Sequence, residues 1–366
     1  MKTKNEQENR KSNIIDLLNK PIIKLDMEDI YSRNVPWKEF TNSTVLITGA
    51  YGMLASYLTY FFIWLNEEKG QNISIIAAVR NKAKAEKIFG NVLEKNYFKL
   101  YLKDINDKFE FDENIDYIFH AAGIANPKLY AKQPVEVAET NAISTYNLLK
   151  WASAHCIKGF LMFSSGDVYG KVQGQNYIKE DDMGIVNPLD MHSCYSESKR
   201  MAETWCMVYA KEYNVRTIIA RISHTYSPFM DLENDPRAFV SFVKDALDEN
   251  DINILSDGTA RRPFCYITDA IAAFLLIIIK GKSSEAYNVT NSSGFITIKE
   301  LGLIIASLAN KKLKVNIRGA RNDGFLENEN NHENCPIEDK LIELGWSHIV
   351  SVEDGFRRVL EYKKTL

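Results

Sequence analysis

The run Val45-Leu46-Ile47-Thr48-Gly49-Ala50-Tyr51-Gly52-Met53-Leu54-Ala55 decides how the rest of the chain is read. Three aliphatic residues in succession predict a short buried strand. Gly49 and Gly52 predict a tight turn, and the apolar residues through Leu65 predict a helix. A glycine turn between a strand and a helix lets a pyrophosphate approach the first N–H groups of the helix, where partial positive charge gathers. Ala55 stands where a third glycine is common and is small enough for the helix to pack on a sheet. Gly49, Tyr51, Gly52, Met53 and Leu54 are therefore candidate dinucleotide contacts. The plainer alternative is a structural strand–helix turn.

Outward from this turn, strands are expected at 73–79, 98–102, 117–120, 159–163 and 216–220. Helices are expected at 83–89 and 135–154, and another carries Tyr195. Strands alternating with helices predict an α/β fold, a Rossmann-type doubly wound parallel sheet. After about residue 223 the pattern loosens. Helices are expected at 236–248, 268–280, 297–309 and 351–363, with short strands near 252–255, 285–289 and 313–317. This half reads as a smaller C-terminal α/β substrate lobe.

The expected division is an N-terminal extension with short helices at 1–42, a dinucleotide-binding Rossmann domain at 43–222 and, at 223–366, mainly a nucleotide-sugar-binding lobe. Within the extension, residues 1–12 read as disordered. Helical spacing from Ile14 to Ile30, broken by Pro21, predicts one or two short helices packed on the body, with a partner-binding helix as the alternative.

The chain has 366 residues, 45% hydrophobic and 25% charged, the composition of an ordinary globule. A net charge of -3 gives no general attraction to nucleic acid or to a membrane surface. Five scattered cysteines without a C-x-x-C pair fit a reducing compartment, and no metal is expected. The longest apolar stretch, Ala270 to Ile279, is too short to span a bilayer, and no apolar signal core comes after Met1. The expected location is the cytoplasm.

Dinucleotide-binding folds often place an acid at the end of the second strand to hold ribose hydroxyls. Here the place reads Ala78-Val79-Arg80-Asn81-Lys82. Arg80 suits a 2′-phosphate, which would favour NADP; the alternative is a solvated basic helix start. Asp104 and Ile105, after the third strand, are candidate adenine contacts.

Ser165 ends an apolar strand, and Tyr195 and Lys199 are four apart on a helix, hence on one face. An ammonium there favours the phenolate, so the tyrosine pKa is expected to fall toward neutrality. Such a phenol can move a proton on a sugar hydroxyl while a hydride moves on carbon.

These segments resemble an extended short-chain dehydrogenase/reductase of the nucleotide-sugar epimerase/dehydratase family. The resemblance runs from about Ser43 to Lys363. It rests on the Thr48–Ala55 turn, Phe119-His120-Ala121-Ala122-Gly123, Asn141, Ser165 four residues before Tyr169, and Tyr195 with Lys199. Further on it includes Ala220 to Pro228, Arg262-Pro263-Phe264-Cys265-Tyr266-Ile267-Thr268-Asp269 and Leu344-Gly345-Trp346. Within the family, Cys194-Tyr195-Ser196-Glu197-Ser198-Lys199-Arg200 looks most like UDP-glucuronate decarboxylases, with 4,6-dehydratases next.

The resemblance implies a bound NAD, with NADP as the alternative raised by Arg80. It places Ala121, Ala122 and Asn141 along the cofactor, and makes His120 and Asn141 organisers of backbone and water. Tyr195 would deprotonate the sugar 4-hydroxyl, Lys199 would hold the phenolate and the nicotinamide ribose, and Ser165 would bond the reacting oxygen. Asp167 stands where dehydratases and decarboxylases carry a glutamate, so it is a candidate second base one methylene shorter. Its alternative role is capping the turn at Tyr169-Gly170.

His224 and Arg262 are candidate diphosphate or base contacts. A buried packing histidine and a surface ion pair are their plainer roles. His192, His224, Ser227, Phe229 and Pro263 depart from the family pattern and leave the sugar open. The expected activity is oxidation of a nucleotide sugar at C4, then decarboxylation or dehydration, and return of the hydride. A 4-epimerase, an NADP-dependent keto-sugar reductase and a non-enzymatic dinucleotide-binding regulator are the alternatives. Long helices at 135–154 and 194–213 suit the homodimer that the family commonly forms.

Overall fold

The computed structural model describes residues 13–111, 113–309, 311–319 and 334–366, so the disorder expected at 1–12 lies outside the described residues. Asn13 caps α1 (Ile14–Leu18) by accepting from the N–H groups of Ile15 and Asp16, and Pro21 opens α2 (Pro21–Tyr31). Strand β1 (Thr44–Thr48) leads into the glycine turn and α3 (Met53–Lys69). Gly70, at φ 62°, stops α3 in the left-handed conformation that a side chain would resist.

Beyond Gly70 come β2 (Ser74–Val79), α4 (Lys82–Phe89), β3 (Phe98–Leu102) and β4 (Tyr117–His120). Next are the short α5 (Pro127–Lys132) and α6 (Pro134–Ala138). The single long helix expected at 135–154 is corrected to three joined pieces. Helix α6 runs into a π turn, Glu139–Ile143, and then into α7 (Ser144–Ala152). A π turn inserts one residue into the helical ladder and rotates the next helical segment about the axis.

The chain continues through β5 (Gly159–Ser165), β6 (Tyr177–Ile178) and α8 (Cys194–Tyr213) to β7 (Thr217–Ile222) and β8 (His224–Tyr226). The remainder is α9 (Ala238–Leu247), β9 (Ile252–Ile254), β10 (Arg261–Tyr266), α10 (Ile267–Lys280), β11 (Glu285–Val289) and β12 (Phe295–Thr297). It ends with α11 (Ile298–Leu308), β13 (Val315–Ile317), β14 (Cys335–Pro336), α12 (Asp339–Glu343) and α13 (Val352–Lys363).

Seven strands form one parallel sheet in the order β11-β7-β5-β4-β1-β2-β3. Strand order reverses at β1, which has β2 on one side and β4 on the other. The crevice of such a sheet opens at the carboxyl ends of the strands flanking that reversal. Smaller sheets, β12-β10-β8, β13-β9 and β14-β6, build the lobe beside it.

The boundary expected at residue 222 does not separate the sheets. Strand β11 lies far beyond it yet pairs with β7 in the main sheet, Tyr287 opposite Ala220. A parallel partner needs a crossover, and α10 supplies it. Every residue of α10 from Ile267 to Ile278 is buried, as expected of a helix apolar on all sides. The two halves are therefore threaded through each other rather than placed end to end.

The N-terminal extension is built into the same core. Asp26 of α2 is fully buried and accepts hydrogen bonds from the Tyr57 and Tyr266 hydroxyls and from Arg358 Nη1 at 2.8 Å. Three residues on, Asp29 accepts from Thr268 and from Arg33, whose Nη2 also reaches Asp269 at 2.8 Å. These bonds tie α2 to α3, β10, α10 and α13.

Candidate active site

The predicted cofactor residues from Gly49 to Ala122, and Ser165 with Asp167, sit at the carboxyl ends of sheet strands or just beyond them, whereas Asn141, Tyr195 and Lys199 come from helical segments and His224 and Arg262 from the starts of lobe strands. Gly49 comes after β1 at φ 62°, and a Cβ there would come 2.9 Å from Ala122 Cα. Only glycine lets the turn after β1 and the Ala121-Ala122 segment after β4 approach so closely. Thr48 Oγ1 accepts from the Ala122 N–H at 3.0 Å and meets His120 Nδ1 at 2.9 Å. His120 Nε2 reaches Thr145 Oγ1 at 3.0 Å. Burial pushes the imidazole pKa down to about 3, so it bridges β4 to α7 as a neutral ring. His120 therefore lies behind the turn as an organiser.

Gly52 N-caps α3, and no side chain caps that helix. Met53 and Leu54 turn their side chains to the main core, so contact with a ligand falls to their backbone. An open cleft of about 600 Å³ at the ends of β2 and β3 is lined by Arg80, Asn81, Leu102, Lys103, Asp104 and Asp107. A close glycine approach, an uncapped helix start and this cleft fit a dinucleotide laid across the strand ends.

Two expectations change here. Ile105 packs against the core cluster that contains Phe109 and Trp151, and Asp104 alone of the pair lines the cleft. Arg80 is held by carboxylates, its Nη1 3.0 Å from Glu136 Oε1 and 4.0 Å from Asp104 Oδ2. The guanidinium expected to seek a 2′-phosphate already has two anionic neighbours.

Tyr195, Ser165 and Asp167 meet at the end of β5. The Ser165 hydroxyl is near enough to the Tyr195 phenol to favour its phenolate, and the phenol also feels the Asp167 charge. Ser165 Oγ also accepts from the Asp167 N–H at 3.2 Å, which fixes the start of the turn. Asp167 is exposed at the surface, yet the protein around it raises its pKa; Arg262 opposes that rise.

The expectation of a lowered phenol pKa is corrected. Burial, and then the Asp167 charge, push the Tyr195 phenol well up, while the nearby Ser165 hydroxyl works the other way. Lys199 Nζ lies 6.0 Å from the Tyr195 ring centre and donates to the Phe163 carbonyl at 2.8 Å. Burial brings the lysine pKa down to about 8, against the pull of Glu203. The i,i+4 spacing places both groups on one face but does not by itself make them touch.

The π turn carries Asn141 to this region. Its Nδ2 donates to Ser198 Oγ at 3.2 Å, while its buried Oδ1 has no protein partner. A Cβ on Gly123 would sit 2.7 Å from Asn141 Oδ1 and 3.1 Å from Lys199 Nζ. Glycine at 123 thus leaves room between the amide and the ammonium.

His224 stands on β8, its ring edge-on to Phe264 at 6.0 Å. Arg262 stands on the neighbouring β10 and its Nη1 donates to the Arg261 carbonyl at 2.8 Å. Two further residues reach the site without a signal in the sequence. Tyr130 stacks on Tyr195, with ring centres 4.9 Å apart and planes 12° apart. Arg237, paired with Asp235, lowers the cost of a negative charge on both phenols. Asn126-Pro127 announces the start of α5, but nothing in the sequence says that α5 folds over α8.

The pattern of the NAD dependent epimerase/dehydratase family matches residues 45–290. A UDP-glucuronic acid decarboxylase of Danio rerio is 28% identical over 322 residues, covering 87% of this chain and 72% of the relative. The chain also superposes on solved structures. An epimerase from Methanothermobacter thermautotrophicus gives a TM-score of 0.76 at 19% identity, covering 94% of this chain and 97% of the other. A UDP-glucuronic acid 4-epimerase from Bacillus cereus in complex with NAD gives 0.71 at 22% identity, covering 88% and 97%. At those identities the likeness is one of fold.

Proposed function

The chain belongs to the NAD dependent epimerase/dehydratase family, and on that premise we propose that it modifies a nucleotide sugar with a retained NAD, decarboxylating UDP-glucuronate or a related sugar. The observation that carries this reading is the meeting of Tyr195 with Ser165 and the Asp167 carboxylate at the end of β5. The backbone of the Gly49–Leu54 turn, Ala121, Ala122 and Lys199 would hold the dinucleotide. When bound, NAD accepts a hydride from the sugar C4 and returns it.

Tyr195 takes the proton of the sugar 4-hydroxyl, and Ser165 donates to the same oxygen. The resulting 4-ketone sits beside C5, so a C6 carboxylate can leave as carbon dioxide and its bonding electrons are held by the ketone oxygen. Tyr195 and Asp167 each raise the cost of charging the other. The phenol is therefore hardest to charge while Asp167 is ionised. Lys199, as an ammonium, favours the phenolate once the reaction begins. Asp167, exposed at the surface, can exchange a proton with C5, while Arg262 and His224 address the diphosphate.

A 4-epimerase is the second reading, favoured by the solved epimerases with this fold and by the shortened acid at Asp167. Purified protein incubated with UDP-glucuronate, UDP-glucose, dTDP-glucose and GDP-mannose separates the two by product mass. Loss of carbon dioxide supports the first reading; unchanged mass with inverted stereochemistry supports the second.

Homodimerisation is also part of this proposal. Met201 and Val208, seven apart and so on one side of α8, are exposed, as are Val135 and Ile143 near α6 and α7, apolar residues suited to contact with a second copy. Among the described residues no helix is long and apolar enough to cross a membrane, and we place the chain in the cytoplasm.

A further inference from the structure

The cleft at the ends of β2 and β3 carries a charge arrangement that the fold does not require. Arg80 ends β2, Asp104 comes after β3, and Glu136 comes from the first turn of α6. The Arg80 guanidinium lies 3.0 Å from Glu136 and 4.0 Å from Asp104, and Tyr51 of the glycine turn is near enough to act on its charge. Three separate elements thus converge on one cation. Asp107 is, with Asp104, the second carboxylate lining the cleft, which Lys103 also lines.

A guanidinium in this place suits a phosphate on the adenosine 2′-oxygen, which carries close to two negative charges. Here that phosphate would have to displace Glu136 and then sit among like charges. The ion pair is solvent-exposed and contributes little to stability. Its weight lies in what the carboxylates deny to an incoming anion. A ribose with a free 2′-hydroxyl meets no such repulsion and finds acceptors in the same groups.

We propose that Glu136 is a specificity-determining residue. By occupying Arg80, it makes the chain select a dinucleotide with a free 2′-hydroxyl over its 2′-phosphorylated counterpart. The proposal rests on the reading of this cleft as the dinucleotide site.

The test measures the dinucleotide itself. The purified chain and its Glu136→Gln variant are titrated with NADH and NADPH, monitoring nicotinamide fluorescence, and any dinucleotide carried through purification is released by heat and identified by mass. The native chain is expected to carry NAD and to bind NADH at least tenfold more tightly than NADPH. Glu136→Gln, nearly isosteric and at a partly exposed position, should narrow that ratio about tenfold, chiefly by tightening NADPH. Adding Arg80→Ala to that variant should remove the gain. A native chain that carries NADP, or a ratio unmoved by Glu136→Gln, overturns the proposal while leaving the dinucleotide site intact. Binding of neither dinucleotide overturns the site and the proposal together.

Discussion

Two carboxylates in this protein each gather tyrosines and arginine, to opposite ends. Asp26 is closed from solvent and receives three donors, Tyr57, Tyr266 and Arg358. Asp167 is exposed at the surface, with Arg262 as its counter-charge and Tyr195 beside it. Desolvation raises both acids, but the first is surrounded by groups that hold it still, whereas the second is exposed. Closure on every side makes a structural knot; partial closure leaves a group able to exchange a proton.

The largest effect expected of this contrast is at Tyr195. Tyr195→Phe should lower kcat by about 10³-fold or more while dinucleotide binding persists, as a proton-transfer group requires. A folded variant with native turnover would break the comparison. At the other site, Asp26→Ala leaves Arg358 buried beside two unpaired hydroxyls and should cost about 3–5 kcal/mol of stability. Denaturant unfolding measures that loss, and the surviving folded molecules should keep near-native turnover.

Asp167→Asn sharpens the contrast further. It should slow the step after C4 oxidation by about 10²-fold. It should also move the tyrosine limb of the pH–rate profile downward, because the charge that raises the phenol is gone. An unmoved limb would separate Asp167 from Tyr195.

The smallest effect is in the pH dependence of stability. The Asp26 pKa is raised to about 6 in the fold against 3.8 for the free group. Its contribution is therefore fully present below the free value and is lost as pH rises through about 6. Relative to Asp26→Asn, the native chain should gain about 2 kcal/mol between pH 6.5 and 4.5. Unfolding both chains at those two values checks the sign.

Much of this fold is legible in the chain. The strand–turn–helix at 45–65, the strand at the end of which Ser165 stands, and the i,i+4 pair Tyr195 and Lys199 are local patterns, and each lies where periodicity and turn residues place it. The π turn at Glu139–Ile143 is not legible, because its residues are compatible with an ordinary helix. Strand β11 reads from sequence as part of the lobe, since a five-residue segment does not announce which sheet it joins.

What the sequence alone determined is therefore the set of local elements and the identity of the reacting groups, since both depend on neighbours within a few residues. The tertiary structure decided the rest. Stacking of Tyr130 on Tyr195, capture of Arg80 by Glu136 and burial of Asp26 under Arg358 join residues 65, 56 and 332 positions apart. The raised phenol and the lowered lysine belong to the same class. Charge and desolvation act through space, so the pKa of a group is a property of whatever the fold packs around it.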